Sequence, residues 1–357
     1  MDEPGGRQPG GRHQSLKGKG MMRTRLITLV AVVVSVVAGS IAAVPAGAHL
    51  RKAPTPAMAV TLLADGLQGS VGATIGPDGA LYVTEAALGQ ITRIDTSTGN
   101  ATTAASGLPT RKIFIGGAMD VAFVGTTMYV LVSVVGPDVG GNSVVGIYRK
   151  DGSGGFSVFA DLGTWSIDHP PTTTFDLPDG VQFALQPVAD GFLVTDGHHN
   201  RVLHVSSTGE ITQRMQFPNI VPTGLAVTHG SVFMSEAGPI PHNPADGKVV
   251  SFPLNPAGPN AHEVASGYSL LVDVELGPDG ALYALSQGDS PGNVPPASPA
   301  APDSGELLLV NRNGSFTPLV DELDLPTSLD FVGDTAFVTT LNGEVWKITN
   351  VSKFIKQ

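Results

Sequence analysis

Residues 72–85 read GATIGPDGALYVTE, and residues 273–286 read DVELGPDGALYALS. The shared GPDGALY joins two runs of alternating apolar residues by a tight turn, in which Pro presets φ and the second Gly accepts a positive one. The same grammar recurs in degenerate form at 120–132 (DVAFVGTTMYVLV), 180–196 (GVQFALQPVADGFLVTD), 224–236 (GLAVTHGSVFMSE) and 328–340 (SLDFVGDTAFVTT), making six copies. Their equivalent positions, Tyr82, Tyr129, Leu193, Phe233, Tyr283 and Phe337, are spaced by 47, 64, 40, 50 and 54 residues. Such spacings centre on the length of a four-stranded sheet unit in a radial array.

Each copy is followed by a third strand: QITRI (90–94), VVGIY (144–148), RVLHV (201–205), KVVSF (248–252), ELLLV (306–310) and EVWKI (344–348). A fourth follows in five copies, as in TTAASGL (102–108), SVFADLG (157–163), TQRMQF (212–217), HEVASGY (262–268) and TPLVDEL (317–323). The sixth copy is left without one, and the missing piece stands at the other end of the chain, TLLADGL (61–67). A ring explains this, because pairing the first strand with the last sheet leaves no open edge. The expected fold is therefore all-β: a six-bladed β-propeller of four-stranded blades over 59–350, its N-terminal strand completing the last blade, with a tail at 351–357. No stretch sustains a 3.6-residue period between caps, so helices are expected to be scarce.

The chain of 357 residues is 41% hydrophobic and only 14% charged, with 45 Gly, 28 Pro and no Cys. That apolar content supports a sizeable core, and the lack of Cys excludes disulfides and thiolate chemistry. At the N-terminus, Arg23 and Arg25 precede the uncharged run LITLVAVVVSVVAGSIAAV (26–44), then PAGAH (45–49). This order predicts an N-terminal extension and signal peptide over 1–48, cleaved after Ala48, and a short linker over 49–58. The alternative is a retained membrane anchor at 26–44. Cleavage removes six basic and two acidic residues, so the net charge goes from −11 to −15. A surface this acidic, with no basic block beyond the leader, excludes nucleic acid as a partner. The expectation is a monomer that is secreted, extracellular or periplasmic, touching a membrane only through an uncleaved leader.

In such a ring the first strand of each blade begins, and the second ends, on one face. The long Gly/Pro-rich segments fall there: 133–143, 163–178 (GTWSIDHPPTTTFDLP), 236–247 (EAGPIPHNPADG) and 286–305. Loops crowning a rigid scaffold are where binding is usually placed. The candidate ligand-face residues are Asp120 and Asp273 at the start of first strands, Glu85, Asp196 and Glu236 at the end of second strands, and Gln182 one turn deeper beside the channel. Asp168, His169 and His242 join them from the crown loops, with Asp246 set to pair His242. Converging carboxylates at a channel mouth can hold a hard cation, Ca²⁺ first, or act as acid and base. They equally serve as acceptors for turn amides, which leaves a structural role open. His198 and His199 are placed in a four-residue turn (GHHN, 197–200), and His204 on the surface.

The run LVTD (193–196) followed by NRV (200–202) is similar to the NHL repeat, and PDG (178–180) and PTG (222–224) fit the same pattern. Together with the leader, GPDGALYVTE and the Pro/Gly-rich crown, the chain resembles the ScyD/ScyE family of exported propellers across residues 59–349. The resemblance implies an exported protein with no established catalysis. Blade 2 departs from the acidic strand end with Val132-Ser133, and blades 5 and 6 carry Ser286 and Thr340 there. The functional expectation is thus a non-catalytic binding or scaffold protein, free of cofactors, that takes a protein, glycan or small molecule on the crown. The alternative is a metal-assisted hydrolase or lyase of the gluconolactonase-like or strictosidine-synthase-like propeller class.

Overall fold

A computed structural model describes residues 57–152, 154–254, 260–292 and 298–354, with the side chains of 353 and 354 left aside. The leader and its cleavage site lie outside the described residues. Blade 1 consists of Ala73–Ile75, Leu81–Glu85, Gln90–Ile94 and Ala101–Ser106. Blade 2 follows with Gly117–Val124, Thr127–Ser133, Gly146–Lys150 and Phe156–Asp161, and blade 3 with Gln182–Val188, Gly191–Asp196, Arg201–Ser206 and Ile211–Gln216. Blade 4 is Pro222–Thr228, Ser231–Glu236, Gly247–Pro253 and His262–Tyr268; blade 5 is Leu271–Leu276, Leu282–Ser286, Gly305–Val310 and Phe316–Leu323. Blade 6 takes Pro326–Val332, Thr335–Thr340 and Val345–Thr349, and its outermost strand is Ala59–Ala64. All pairings are antiparallel, and the closure aligns Ala59 with Thr349 and Thr61 with Lys347. The ring is therefore a six-bladed propeller shut by its own first strand.

The two GPDGALY turns show why the motif repeats. Gly79 and Gly280 have φ of +76° and +75°, and each turn closes with the same bonds, Gly76 N–H to the Ala80 carbonyl and Gly277 N–H to that of Ala281, both at 2.9 Å. The first Gly has a different duty. A Cβ on Gly76 or Gly277 would lie 2.2 or 2.3 Å from the ring of Tyr82 or Tyr283. Those rings fold over the turn and meet Phe123 and Phe331 of the following blades at centroid distances of 4.9 and 5.0 Å.

Packing follows from the ring. Apolar clusters sit between successive blades: Leu131, Ile147 and Leu162 meet Leu185, Phe192 and Leu203 between blades 2 and 3. Leu81, Val83 and Ile94 meet Phe337 and Val345 across the closure. Every blade buries both faces against neighbours, so removing one edge exposes two slabs at once.

Five blades carry a register shift near the start of the innermost strand, for example between Ala118 and Asp120 and between Leu271 and Asp273. Such bulges free backbone amides beside the channel and re-aim side chains. Hydroxyls near the ends of second strands take up amides there: Thr195 accepts Ala184 N–H at 3.0 Å and Ser235 accepts Gly224 N–H at 2.9 Å, and in blade 1, which has no shift, Thr84 likewise accepts Gly72 N–H at 3.0 Å.

The 163–178 insertion, expected as loop, contains part of a seven-residue helix, Leu162–Asp168. Asp161 caps it by accepting Thr164 N–H at 2.9 Å. Among the described residues no helix is long and apolar enough to cross a membrane.

Candidate functional site

The innermost strands enclose an axial channel with three successive spaces. On the crown side is an apolar funnel of about 150 Å³, walled by Val71, Ile115, Val181, Phe183, Val272 and Leu341 and rimmed by Ile113 and Phe114. Val71, Phe183 and Thr327 also line the next space, a waist of about 20 Å³, room for roughly one water. Beyond the waist, Asp120, Ala184, Asp273 and Ser328 lead into a polar vestibule of about 270 Å³ on the opposite side. The channel is thus apolar at one end and acidic at the other.

The acidic end is built by parity. On first strands, side chains two apart share a face, so Glu275 joins Asp273, and Asp330 follows Ser328 into the vestibule with Asp120. Asp120 accepts Val121 N–H at 2.8 Å and Leu185 N–H at 2.7 Å. Asp273 accepts Val274 N–H at 2.9 Å and Leu329 N–H at 2.7 Å. Gly72 and Gly224 make room for them, since a Cβ there would stand 2.5 or 2.3 Å from the Asp120 or Asp273 carboxylate. Burial pushes the Asp273 carboxyl up to about 8 and Asp330 up to about 7, against the pull of backbone amides. Asp120 and Glu275 are driven well above the carboxylate range by burial, and their acidic neighbours add to it. Crowding four carboxyls into one buried vestibule thus shifts all of them toward the neutral form.

The other carboxylates expected at the channel mouth line none of these spaces. Glu85, 4% exposed, accepts Gln68 N–H at 2.8 Å and the Gln90 amide at 2.7 Å, and also the Thr92 hydroxyl. Glu236 is buried beside Lys248; burial lifts its carboxyl to about 7 while the ammonium opposes, and that ammonium itself binds Glu263 at 2.9 Å. Gln182 is fully buried and bridges blades 2 and 3, accepting the Ser133 hydroxyl at 2.7 Å and donating to the Asp179 carbonyl at 2.9 Å.

Asp196 anchors the insertion. It accepts Arg201 Nε–H at 3.1 Å and Val181 N–H at 3.1 Å, with His199 Nδ1 at 3.0 Å. Burial alone would raise this carboxyl, but His199 and Arg201 outweigh it and hold it below the usual range. The Arg201 guanidinium continues to the His169 carbonyl at 2.7 Å and the Ser166 hydroxyl at 2.9 Å, and Trp165 lies over it at 5.0 Å. His169 itself is exposed, stacked on Trp165 at 4.3 Å, and Asp168 beside it is exposed too. Neither reaches the funnel.

His242 does line the funnel, without its expected partner: Asp246 accepts the Asn243 amide at 2.8 Å instead. Its companion there is His198, which lies in the expected turn 197–200 and was not among the candidate ligand residues. The Nδ1 atoms of both are buried without a hydrogen-bond partner. Burial pushes both imidazoles down toward the neutral form, and nearby Asp196 and Asp176 only partly offset this at His198.

A divalent cation of the kind the hydrolase alternative requires does not fit these donors. Glu85, Asp196 and Glu236 sit in three different blades outside the channel, and Asp120 and Asp273 spend both oxygens on amides. Among the described residues no group of three or more His, Asp or Glu is arranged to hold a metal ion.

No family model matches the chain, and no curated protein matches it. Solved structures do. A gluconolactonase from Xanthomonas campestris is 13% identical with a TM-score of 0.56, covering 81% of this chain and 89% of its own. A PQQ-bound aldose sugar dehydrogenase from Streptomyces coelicolor is 13% identical with a TM-score of 0.54, covering 83% and 99%. A virginiamycin B lyase from Staphylococcus aureus is 16% identical with a TM-score of 0.49, covering 82% and 99%. At such identities the likeness is one of fold; the channel of this chain pairs an apolar funnel, lined on its crown side by His198 and His242, with an acidic vestibule.

Proposed function

We propose that this chain is an exported, non-catalytic binding protein of the ScyD/ScyE type, which takes a small, largely apolar molecule into the funnel from the crown face. The single observation that carries the reading is the funnel itself: an apolar space of about 150 Å³, stopped below by a waist too narrow for more than a water and lined by no carboxylate. A space of that size accommodates one six-membered ring. Export is supported by the basic, apolar and Ala-Gly-Ala sequence of the leader, and the absence of Cys is compatible with it. The family reading is supported by LVTD (193–196), NRV (200–202) and the paired GPDGALY turns. The hydrolase alternative loses ground because its oxygen donors are committed to backbone amides and to Arg201.

Thermal shift and titration calorimetry on the exported chain test this, with small neutral aromatics on one side and sugar lactones with Ca²⁺ on the other. Aromatics are expected to raise the melting temperature in proportion to ligand excess, and lactones to show neither binding nor turnover. Metal-dependent lactone hydrolysis abolished by a chelator would overturn the proposal in favour of the enzyme.

A further inference from the structure

His198 lines two spaces at once. Besides the funnel it borders a side chamber of about 230 Å³, walled by Thr174, Phe175, Asp176, Asn200, Asn219 and Ile240. That chamber is held in shape by bonds on its own walls. Asn200 accepts Ile220 N–H at 2.8 Å and Val221 N–H at 3.0 Å, and donates to the Thr173 hydroxyl at 3.3 Å. Asn219 brackets Ile240, donating to its carbonyl at 2.8 Å and accepting its N–H at 3.1 Å. These amides are used up by the protein. What remains to meet a ligand is the His198 imidazole, through Nε2 because its Nδ1 is sealed off, and the exposed Thr174 and Asp176.

From this geometry we infer that funnel and side chamber form one bipartite site, for an uncharged molecule with a ring-sized apolar head and a short hydroxyl-bearing arm that passes His198. The inference rests on the binding reading above and sharpens it to a ligand class. A neutral imidazole offers one donor and one acceptor, and a hydroxyl can answer either, so the match holds for both tautomers. An accessible ring nitrogen that a ligand covers without bonding costs free energy, a cost that a ligand hydroxyl avoids and a hydrocarbon does not. An anionic arm is disfavoured. Among the described residues neither space is lined by Lys or Arg, and Asp176 stands in the chamber wall.

Three probes with the same ring decide it: 2-phenylethanol, ethylbenzene and phenylacetate, titrated into the exported chain by calorimetry. 2-Phenylethanol is expected to bind about tenfold tighter than ethylbenzene, the worth of one recovered hydrogen bond, and phenylacetate weakest. In His198→Phe the alcohol should fall to the level of ethylbenzene while ethylbenzene itself still binds, which also shows that the variant is folded. Asp176→Asn, at an exposed position, should selectively improve phenylacetate. If the alcohol and hydrocarbon bind alike, or if their ratio survives His198→Phe, the bipartite site is overturned and the funnel reading stands. If no ring compound binds at all, the funnel reading falls with it.

Discussion

Asp120 and Asp273 stand three blades apart and make the same bond, each accepting at 2.7 Å the amide of an innermost strand in the next blade, Leu185 or Leu329. Each is also cradled by a glycine of the preceding blade, Gly72 or Gly224. Blades 1–3 and 4–6 therefore repeat one another around the channel, and the two carboxyls act as rivets between blades rather than as metal donors.

Asp273→Ala removes the acceptor of two amides, Val274 and Leu329. An expected loss of about 2–4 kcal/mol follows from two unsatisfied buried donors. Asp120→Ala should cost a similar amount, and Asp273→Asn less, because one acceptor survives. Urea unfolding monitored by circular dichroism checks the order.

Stability should fall as pH rises through the neutral range. The Asp273 and Asp330 carboxyls sit at about 8 and about 7 in the folded chain, against 3.8 when free. Between about pH 4 and pH 8 the folded state consequently binds more protons than the unfolded one, and the unfolding free energy declines across that window. The decline should be on the order of 2 kcal/mol after allowing for water in the vestibule. Asp95 works in the opposite sense only at the acid end, because Ser97 and Thr98 hold its exposed carboxyl below the usual range. Melting temperatures from pH 4 to 9 measure the slope, and Asp330→Asn should flatten it.

Gly343 guards the ring closure. Its φ is +94°, and a Cβ there would stand 2.0 Å from the Leu67 carbonyl oxygen, while Leu67 N–H bonds the Gly343 carbonyl at 3.1 Å. Gly343→Ala should cost roughly 2–3 kcal/mol through strain and lost pairing. Gly79→Ala is the control: its φ is also positive, at +76°, but no atom lies within 4 Å of the added carbon, so about 1 kcal/mol is expected. Chemical denaturation of both variants separates collision from backbone preference.

Arg201→Met should release the insertion. The variant keeps an unbranched apolar stem but gives up the bonds to Asp196, Ser166 and the His169 carbonyl, leaving the buried Asp196 carboxylate with His199 as its remaining side-chain partner. A loss of about 3–5 kcal/mol is expected. Limited proteolysis should cut within 165–176 faster in the variant than in the unaltered chain.

The ring was legible because a blade announces itself locally: alternation, a Gly-bearing turn, then two more strands, with one strand too few at the end and one too many at the start. The site was legible only as a face. Strand order set Asp120, Asp273 and Asp196 on the crown face, whereas Asp120 and Asp273 line the waist and the vestibule on the opposite side and Asp196 turns to Arg201 and His199; the pattern does not say which partner a carboxylate will meet, and those partners decided their roles. Glu275 and Asp330 could have been found from the acidic or polar residue two positions earlier, Asp273 or Ser328. His198 had no such signal, since the Gly-His-His-Asn turn hides that its two histidines part company, His199 going to Asp196 and His198 to the funnel. The helix at Leu162–Asp168 is too short for periodicity to show, although Asp161 and Thr164 had the spacing of a cap.

Thr61 and Lys347, joined in the closing sheet, are 286 residues apart. The last blade consequently cannot be assembled until the carboxyl end of the chain has been synthesised and delivered to the same compartment as its start. A polypeptide threaded N-terminus first through a translocation pore would thus stay unlocked for the whole transit, and would snap shut only on the far side. The latch that seals the ring is thus, of all its blade contacts, one that waits for the last strand to exist.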